Sequence, residues 1–566
     1  MNHLITSALP YINGIKHLGN LAGSLLPADI HSRFLRQAGE KVAFICATDE
    51  HGTPAELGAA AEGLSPRDYC DRQHEVQKNI YERFDLSFDH FGRTSSSTNH
   101  RLTQEIFLAL DAAGFIEEKE VGQIWSPVDG RFLPDRYVEG DCPHCGGPAR
   151  GDQCDSCSAT LDPTDLLNAR SAISGSGGLE VRSTRHLFLR QSALAGEIET
   201  WLSSRQGWPA QVHSIARGWL ELGLGDRCIT RDLKWGIPVP RAGYEDKVFY
   251  VWFDAPIGYI AATTDWCQET GQDIHEWWGR SADVRHVQCL ASDNVQFHAI
   301  TFPATLIGSG LPLHTVDVVK GVNWLLHDGG KFSTSRRRGV FLDQALDIAT
   351  SDQWRWWLAA NCPETSNTDF TFQRFAEGVN ADLADKFGNL YGRVLGYVAG
   401  RHQGVIPDVE PDHERDADLL DDLATILGEL ERAHRDVSIR RAADAVRALW
   451  SLSNGYFANN APWVLAKTDP HREAVVVRTA VGLIRACALA AHPFVPRSAG
   501  IVLTSLGEDA LTGWTTDARD VLEVKRGLIV GKPEPLFTKL DAEWVAEQTV
   551  RFSGLDDDAH AEKPSA

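Results

Sequence analysis

Five consecutive residues, Lys331, Phe332, Ser333, Thr334 and Ser335, combine an ammonium group with three hydroxyls. Two glycines come directly before them, and three arginines come directly after them. A loop of this composition can close over phosphate groups and stabilise negative charge that develops during a reaction. A solvated basic turn is the more common structure for such a segment taken alone, so the neighbouring segments must decide between the two.

A second stretch suited to phosphate lies near the N-terminus, where a strand predicted at residues 4–9 runs through a turn into a helix. His17 and Asn20 would project from the first helical turn, and Gly19 allows a close approach of a ligand. Free N–H groups and the helix dipole both favour an anion at that end of a helix. We therefore expect His17 and Asn20 to face one phosphate. A capping or surface histidine is the alternative.

Carboxylates follow two more predicted strands. Asp49 comes after the strand predicted at residues 41–47, and Asp293 comes after the strand predicted at 287–291. Open α/β sheets bind ligands at the carboxyl ends of parallel strands, where Asp49 could hold an ammonium group and Asp293 could accept ribose hydroxyls. The alternative for Asp49 is a helix N-cap.

Residues 248–259 are predicted as a further strand with aromatic side chains at its end. Trp252 and Tyr259 either wall an apolar pocket or belong to the core. The sequence pattern alone leaves both interpretations open.

Two CxxC pairs, Cys142 with Cys145 and Cys154 with Cys157, are separated by eight residues. The chain has 11 cysteines and no secretory signal, which argues against a disulfide framework. Four thiolates on two tight turns make a closed tetrahedral site, so we predict one structural Zn²⁺. Redox pairing of the cysteines is the alternative.

The chain has 566 residues, which is long enough for three or four folded units. These units must hold the candidate residues in position. Its composition, 43% hydrophobic and 23% charged, is typical of a soluble globular protein, and we predict a cytoplasmic one with no membrane partner. The net charge of −22 means that any nucleic acid must meet a local basic patch. Residues 65–116 are predicted as amphipathic helices around the segment 88–93, and 418–435, 439–457 and 472–492 as a helical bundle.

Together these segments resemble the methionyl-tRNA synthetases, which are class I aminoacyl-tRNA synthetases, over residues 3–540. His17-Leu18-Gly19-Asn20 resembles the first signature of that family, and the Lys331 stretch stands at the position of the second, usually Lys-Phe/Met-Ser-Lys-Ser. The forms of several motifs resemble the archaeal and eukaryotic branch; these are His17–Asn20, Thr48-Asp49-Glu50, Arg231-Asp232-Leu233-Lys234-Trp235 and Asp293-Asn294-Val295.

The resemblance implies a doubly wound, Rossmann-like parallel sheet, split by a zinc-knuckle insertion and followed by a helical anticodon-binding domain. The implied units, in chain order, are the first catalytic half (1–115), the insertion (116–230, with the knuckle at about 140–160), the second catalytic half (231–325), a stem-contact region with the loop (326–375), the helical domain (376–545) and a disordered tail (546–566).

The resemblance also implies methionine, ATP with Mg²⁺ and a tRNA with a CAU anticodon as ligands, and we expect a monomer. By motif match, the catalytic and ATP-binding residues would be His17, Gly19, Asn20, Arg231, Asp293, Lys331, Ser333 and Ser335. The methionine-binding residues would be Leu9, Tyr11, Asp49, Trp252, Ala255, Pro256, Tyr259 and His298. The anticodon-binding residues would be Asn389, Arg393 and Trp463.

This sequence departs from the family pattern at the phosphate end. The family has lysines where Thr334 and Ser292 stand here, and both serve the pyrophosphate of ATP in the transition state. Arg336, Arg337 or Arg338 could substitute, although arginine binds phosphate in a different geometry from lysine. Residues 125–131 also lack the cysteines of a second zinc knuckle found in some relatives.

Three functions remain open at this stage. The first is a synthetase that charges tRNA with methionine. The second is a paralogue that adenylates methionine or a related amino acid and passes it to a small-molecule acceptor. The third is a catalytically impaired protein that binds methionine or tRNA.

Overall fold

The computed structural model describes residues 1–134, 137–151, 154, 157, 161–332, 338–508 and 513–553. Ser333, Thr334, Ser335, Arg336 and Arg337 of the predicted phosphate loop lie outside the described residues, and so does the tail from residue 554 onward. The described chain forms a parallel α/β sheet, an antiparallel insertion and a helical bundle.

Five parallel strands form the central sheet: β1 (Asn2–Ser7), β2 (Lys41–Thr48), β3 (His90–Arg93), β4 (Val284–Ala291) and β5 (Val318–Val322). Their order is β5-β4-β1-β2-β3, and every neighbouring pair is parallel. The strand order therefore reverses beside β1, and such sheets bind ligands at the carboxyl ends of the strands at this point. The prediction of a doubly wound parallel sheet is confirmed.

Helices cover both faces of this sheet, so its strands are apolar on both sides. Ile5 packs in a cluster with Phe34 of one long helix, whereas its neighbour Leu4 packs in another cluster with Ile257. The long helix runs without a break through Leu18–Asn20, a π-helical turn at Leu21–Leu25 and Leu26–Gln37. The other helices around the sheet are Thr53–Ala61, Pro66–Arg83, Ser97–Ala112, Val251–Thr270, His275–Trp278, Ser292–Asn294, the π-helical turn Phe297–Thr301, and Phe302–Ser309.

The strand predicted at residues 248–259 is wrong. Only Val248–Phe249 is extended, and the helix Val251–Thr270 begins two residues later. Almost every residue in the first four turns of this helix is buried, so its sequence shows no polar face that would reveal a helical period. A short apolar run of this kind cannot be distinguished from a buried strand by periodicity. The helix ends at Gly271, which has a φ of +70° that suits glycine.

The insertion is built from antiparallel strands. Its larger sheet has the order Arg227–Cys228, Glu180–Leu189, Ile116–Ser126 and Arg131–Phe132. Its smaller sheet has the order Pro148–Arg150, Val138–Asp141 and Leu167–Ser171. The helices of this part are Pro163–Asp165, Gln191–Leu194, Ala195–Ser203 and Ala210–Glu221, and a two-stranded ladder of Thr230–Arg231 with Val248–Phe249 leads back to the parallel sheet.

A small sheet of Leu325–His327, Gly330–Lys331 and Thr368–Phe370 connects the parallel sheet to the helical part. The helices that follow are Leu342–Ile348, Ser351–Ala360, Phe372–Val379, the π-helical turn Asn380–Gly388, Asn389–Arg401, Ala417–Arg435, Ile439–Asn460, Pro462–Thr468, Pro470–Ala491, Pro496–Ser505, Ala518–Leu522 and Ala542–Arg551. The predicted helical bundle is confirmed. Pro470–Ala491 is long and apolar enough to cross a membrane, but 94% of its apolar window is buried inside the bundle.

A buried ion pair joins the helical part to the parallel sheet. The carboxylate of Asp29 accepts hydrogen bonds from Arg33, from Arg355 at 2.6 Å, and from the backbone N–H and hydroxyl of Ser87. Arg355 also donates to the backbone carbonyls of residues 84, 85, 493 and 494. Burial alone would raise the pKa of Asp29, but Arg33 and Arg355 outweigh it and hold that pKa below its ordinary value.

Candidate active site

A cavity of about 1200 Å³ opens at the carboxyl ends of β1, β4 and β5. Ala8 and Asn323, which follow β1 and β5, and Ala291, the last residue of β4, all line it. The cavity brings together six of the residues predicted for catalysis and ATP: His17, Gly19, Asn20, Arg231, Asp293 and Lys331. These residues come from both halves of the sheet and from the segment after it, so the fold creates the site from distant parts of the sequence.

His17 begins the long helix, and its ring lies over Gly19. A Cβ atom at Gly19 would lie 3.0 Å from His17 Nδ1, which explains the glycine at this position. The backbone N–H of His17 donates to Oδ1 of Asn20 at 3.2 Å. Burial and the neighbouring Lys16 lower the pKa of His17 to about 3, so its ring is neutral near pH 7. A neutral ring at a helix N-terminus can hydrogen-bond a phosphate oxygen without adding charge.

The loop predicted to bind phosphate stands against His17. The ring of Phe332 stacks on that of His17 at a centroid distance of 5.0 Å and an angle of 24°. Beyond the loop, the backbone N–H of Leu18 donates to the carbonyl of Val340 at 3.1 Å, and that of Leu342 to the carbonyl of Lys16 at 2.9 Å. Both ends of the loop are therefore held beside the helix N-terminus.

Two cations and a carboxylate also line the polar side of the cavity. The guanidinium of Arg231 lies 3.7 Å from the centroid of the Tyr250 ring, and Nζ of Lys331 lies 5.0 Å from that of Trp324. Asp293 belongs to the short helical turn after β4 and faces the cavity. Although its side chain is accessible from the cavity, the surrounding protein removes enough water to raise its pKa.

The apolar side of the cavity is aromatic. Leu9, Tyr11 and Trp252 line it, and the rings of Tyr11 and Trp252 meet edge to face at 6.3 Å and 86°. Trp252 also stacks on Phe297 at 3.7 Å and 6°. These three predicted residues and Phe297 form a wall that suits a flexible apolar side chain.

Five of the residues predicted to bind methionine do not line the cavity in this structure: Asp49, Ala255, Pro256, Tyr259 and His298. Tyr259 and His298 are buried behind the wall, where the Tyr259 hydroxyl meets Nε2 of His298 at 3.0 Å. Nδ1 of His298 lies 2.9 Å from the carbonyl of Asn294, so we assign the proton to Nδ1, and the Tyr259 hydroxyl then donates to Nε2. Burial lowers the pKa of His298 to about 4, which keeps the ring neutral.

Asp49 is a buried carboxylate with no ion-pair partner in the described part of the chain. Its Oδ1 atom has no hydrogen-bond partner among the described residues, and its side chain is 4% exposed. Burial, Asp254 and Glu50 raise its pKa, in that order of importance. Its backbone pairs with that of Tyr11, which brings Asp49 beside one residue of the aromatic wall. An ammonium group that reached this position would relieve a buried negative charge.

Sequence analysis missed several residues that line the cavity. They are Asn13, Lys16, Arg227, Tyr250, Phe297 and Trp324. Their closeness in the sequence to the identified motifs could have indicated them, because each lies within about six residues of a motif or of a strand end. Residue type alone gave none, since an isolated lysine or phenylalanine is common on any surface or in any core.

The four cysteines of the insertion converge. All their Sγ atoms lie within 4.8 Å of one another, with 3.8 Å between Cys142 and Cys157 and 3.7 Å between Cys145 and Cys154. Tetrahedral zinc with Zn–S bonds of ~2.3 Å requires S···S distances of about 3.8 Å. The cluster therefore fits the predicted Zn²⁺ in both donor type and spacing.

The three residues predicted to read an anticodon lie on the surface of the helical bundle, away from the residues that line the cavity. Asn389 and Arg393 are exposed one turn apart on the helix Asn389–Arg401. The guanidinium of Arg393 lies 5.5 Å from the centroid of the Phe457 ring, and Trp463, 47% exposed, meets the same ring edge to face at 6.1 Å. Asn389, Arg393 and Trp463 thus form one exposed patch, and the buried ring of Phe457 contacts both Arg393 and Trp463.

Known proteins resemble the whole chain. The family model described as tRNA synthetases class I (M) matches residues 3–395, and the model of the anticodon binding domain of methionyl tRNA ligase matches 406–557. Methionine--tRNA ligase of Cereibacter sphaeroides is 52% identical over 98% of this chain and 99% of its own length. Methionine--tRNA ligase 1 of Acaryochloris marina is 50% identical over 98% and 100%, and the enzyme of Streptomyces avermitilis is 49% identical over 98% and 99%.

Among solved structures, Mycobacterium tuberculosis methionyl-tRNA synthetase in complex with methionyl-adenylate has a TM-score of 0.76 and 24% identity. The alignment covers 95% of this chain and 99% of that one, and at this identity it supports the fold alone. The family models and the similar sequences carry the assignment. The chain belongs to the methionyl-tRNA synthetases, a family of class I aminoacyl-tRNA synthetases.

Proposed function

We propose that the chain activates methionine with ATP to form methionyl-adenylate and then transfers the methionyl group to tRNA. The observation that carries this proposal is that His17, Arg231 and Lys331 line the same cavity as the aromatic wall containing Tyr11 and Trp252. Similar proteins that match along the full chain are named as methionine--tRNA ligases, which favours tRNA over a small-molecule acceptor.

In the activation step, a carboxylate oxygen of methionine attacks the α-phosphorus of ATP. A P–O bond forms, and the bond to pyrophosphate breaks with both electrons leaving on pyrophosphate. No residue has to give or take a proton, so catalysis depends on positioning and charge stabilisation. His17 and Asn20 would orient the phosphates, Arg231 and Lys331 would supply positive charge, and Asp293 would hold the ribose. Mg²⁺ would enter with the phosphates, as it does in most nucleotide sites.

Asp49 would hold the amino group of methionine, since it is a buried carboxylate with an unpartnered oxygen. Leu9, Tyr11 and Trp252 would enclose the thioether, which makes favourable contacts with aromatic rings. Ala255 and Pro256 follow Trp252 in its helix and would support it from behind. The pair of Tyr259 and His298 would set the depth of the pocket.

The phosphate end differs from the usual family pattern at Ser292 and Thr334, and we propose that these positions supply no charge. The motif forms follow the archaeal and eukaryotic branch, even though the similar proteins named above come from bacteria. Removing one preorganised charge typically costs about 10²–10³ in rate. An active enzyme with both positions altered therefore needs a cation from elsewhere in the cavity.

For the acceptor, we propose a tRNA whose CAU anticodon contacts the exposed patch of Asn389, Arg393 and Trp463. An unstacked base on an indole, with amide and guanidinium contacts to its edges, is how single-stranded RNA loops are recognised. Arg393 adds a positive charge at this surface, which favours contact with RNA in a chain of net charge −22. The zinc would stabilise the insertion, and we infer a monomer that works in the cytoplasm.

The first experiment is ATP–pyrophosphate exchange with methionine, followed by charging of a tRNA transcript with a CAU anticodon. We expect both reactions, and a transcript with another anticodon should be charged poorly while exchange is unchanged. No exchange with any amino acid would refute the proposal. Exchange with methionine but no charging of any tRNA would favour the small-molecule acceptor instead.

The second experiment tests the anticodon patch with Arg393→Ala and, as a matched control on the same helix, Arg401→Ala. Both arginines are exposed. We expect Arg393→Ala to lower kcat/KM for tRNA about 5- to 100-fold, which corresponds to ~1–3 kcal/mol of lost base contacts, and to leave exchange unchanged. Equal effects of the two substitutions would contradict the assignment of the patch.

A further inference from the structure

Lys16 is the most buried of the lysines and arginines that line the cavity in the described part of the chain. It is 4% exposed, whereas Arg227, Arg231 and Lys331 are each more accessible. It lies in the turn before the helix N-terminus, and its own carbonyl accepts the backbone N–H of Leu342. Its position is therefore fixed by the same contacts that hold the phosphate loop.

The ammonium of Lys16 lacks a counter-ion. Nζ donates one hydrogen bond, to Oδ1 of Asn13 at 3.1 Å, and Asn13 is neutral. No carboxylate of the described residues lies within the 4.0 Å that defines an ion pair. Burial lowers the pKa of Lys16 to about 7, although the more distant Asp49 opposes the shift. A buried cation with three donors and one neutral acceptor is costly unless an anion joins it.

The surroundings of Lys16 indicate where that anion would lie. Asp49, proposed above to hold the amino group of methionine, is close enough for its charge to act on Lys16. His17, proposed to face the phosphates, is the next residue in the chain. Lys16 also lines the same cavity as His17 and Asn20, so its ammonium is available where the carboxylate of methionine would meet the α-phosphate.

The arginine that the structure describes after the loop does not take this place. Arg338 donates to the carbonyl of His327 at 3.2 Å and packs over Gly330, outside the residues that line the cavity. Arg336 and Arg337 lie outside the described residues. Among the described lysines and arginines that line the cavity, Lys16 is thus the one that is buried.

We propose that Lys16 is a further catalytic residue, whose ammonium binds the oxyanions of the reacting methionine carboxylate and α-phosphate and so adds positive charge to a site in which Ser292 and Thr334 provide none. This inference rests on the proposed function. As the carboxylate oxygen attacks and pyrophosphate leaves, negative charge on the non-bridging oxygens of the α-phosphate would be held by Nζ. The groups that face Lys16 and set its charge are Asp49 and His17, and Glu50, His51 and Asp254 act through Asp49.

The test uses the full-length protein with Lys16→Met and Lys16→Arg. In pyrophosphate exchange we expect Lys16→Met to lose about 10²–10³-fold in kcat/KM, and Lys16→Arg to retain more because it keeps the charge. In the wild type, the affinity for the anionic substrate should fall as pH rises through about 7, because the empty site then loses its proton. Lys16→Arg should abolish this dependence, since arginine stays protonated.

Binding measurements identify which oxyanion is held. If the carboxylate binds Lys16, the variant Lys16→Met will bind methionine more weakly but methioninol, which lacks the carboxylate, equally well. If the phosphate binds Lys16, the same variant will bind ATP more weakly. A loss of kcat with both affinities unchanged means contact in the transition state. All three results support the proposal.

Stability provides a readout that a structural role would not give. Because Lys16 is buried without a counter-ion, Lys16→Met should keep or raise the Tm while activity falls. The matched control is Lys320→Met, which removes a buried lysine of β5 paired with Glu364 at 2.9 Å and should lower the Tm without a selective loss of exchange. If the wild type catalyses exchange and Lys16→Met is equally active, the inference about Lys16 fails while the proposed function stands. Parallel losses of Tm and activity in Lys16→Met would have the same consequence. No exchange in the wild type would refute the proposed function itself.

Discussion

Replacing Asp29 by asparagine removes one negative charge from the contact between the parallel sheet and the helical bundle while keeping the shape of the side chain. Asp29 is fully buried, and two guanidinium groups, of Arg33 and Arg355, converge on it. Breaking a buried pair by removing one partner costs ~3–5 kcal/mol. Arg355 keeps its four carbonyl acceptors in the variant, so we expect the lower end of that range, about 3 kcal/mol.

The matched control is Asp352→Asn. Asp352 is also buried near the bundle, but it accepts only from the backbone N–H and hydroxyl of Ser498, at 2.7 and 2.6 Å. Burial raises its pKa, because the bonds from Ser498 and the distant Arg355 do not offset the loss of water. An asparagine oxygen can accept the same bonds, so we expect a change within ~0.5 kcal/mol or a gain in stability.

Urea denaturation followed by tryptophan fluorescence measures both variants, because Trp354, Trp356 and Trp357 are buried in the same helix as Arg355. The pKa of Asp29 is lowered on folding, so its contribution is complete above its unfolded pKa of ~3.9 and is lost as pH falls further. The difference between wild type and Asp29→Asn should therefore be constant from pH 5 to 8 and shrink below about pH 4. Losses of equal size in Asp29→Asn and Asp352→Asn would refute the role given to the two arginines.

Three other predictions concern the sites. Cys142→Ser should release the zinc and lower the Tm, measured by metal analysis and thermal unfolding; a variant that keeps full zinc content would contradict the assignment. Trp463→Ala should lower kcat/KM for tRNA by about 5- to 100-fold, or ~1–3 kcal/mol, with exchange unchanged; an equal loss in exchange would argue against an anticodon role. Because the pKa of His17 is about 3, its titration should not change the rate of exchange between pH 5 and 8. Any change in rate near pH 7 should therefore persist in His17→Asn, and its disappearance would show that His17 titrates.

The sequence predicted the parallel sheet and the helical bundle because their apolar patterns are long and end at clear turn residues. It failed at Val251–Thr270 for a physical reason: a helix buried on all sides has no polar face. The convergence of His17, Asn20 and Asp293 on one cavity could be predicted because strand ends and helix N-termini meet at one edge of such a sheet. The wall residue Phe297 and the cation Lys16 could not, since their roles depend on which side chains are brought beside them and how much water is excluded.

Each of the three helices that carry His17, Asp293 and Asn389 contains its own widened π-helical turn. These turns are Leu21–Leu25, Phe297–Thr301 and Asn380–Gly388. Each extra residue in such a turn rotates everything before it by about 100° relative to everything after it. The buried half of each helix can therefore keep its packing while the other half is aimed independently at a ligand. Deleting a single residue would restore a regular helix and rotate His17, Asp293 or Asn389 by about 100° relative to the rest of its helix, so the length of each turn determines where these side chains point.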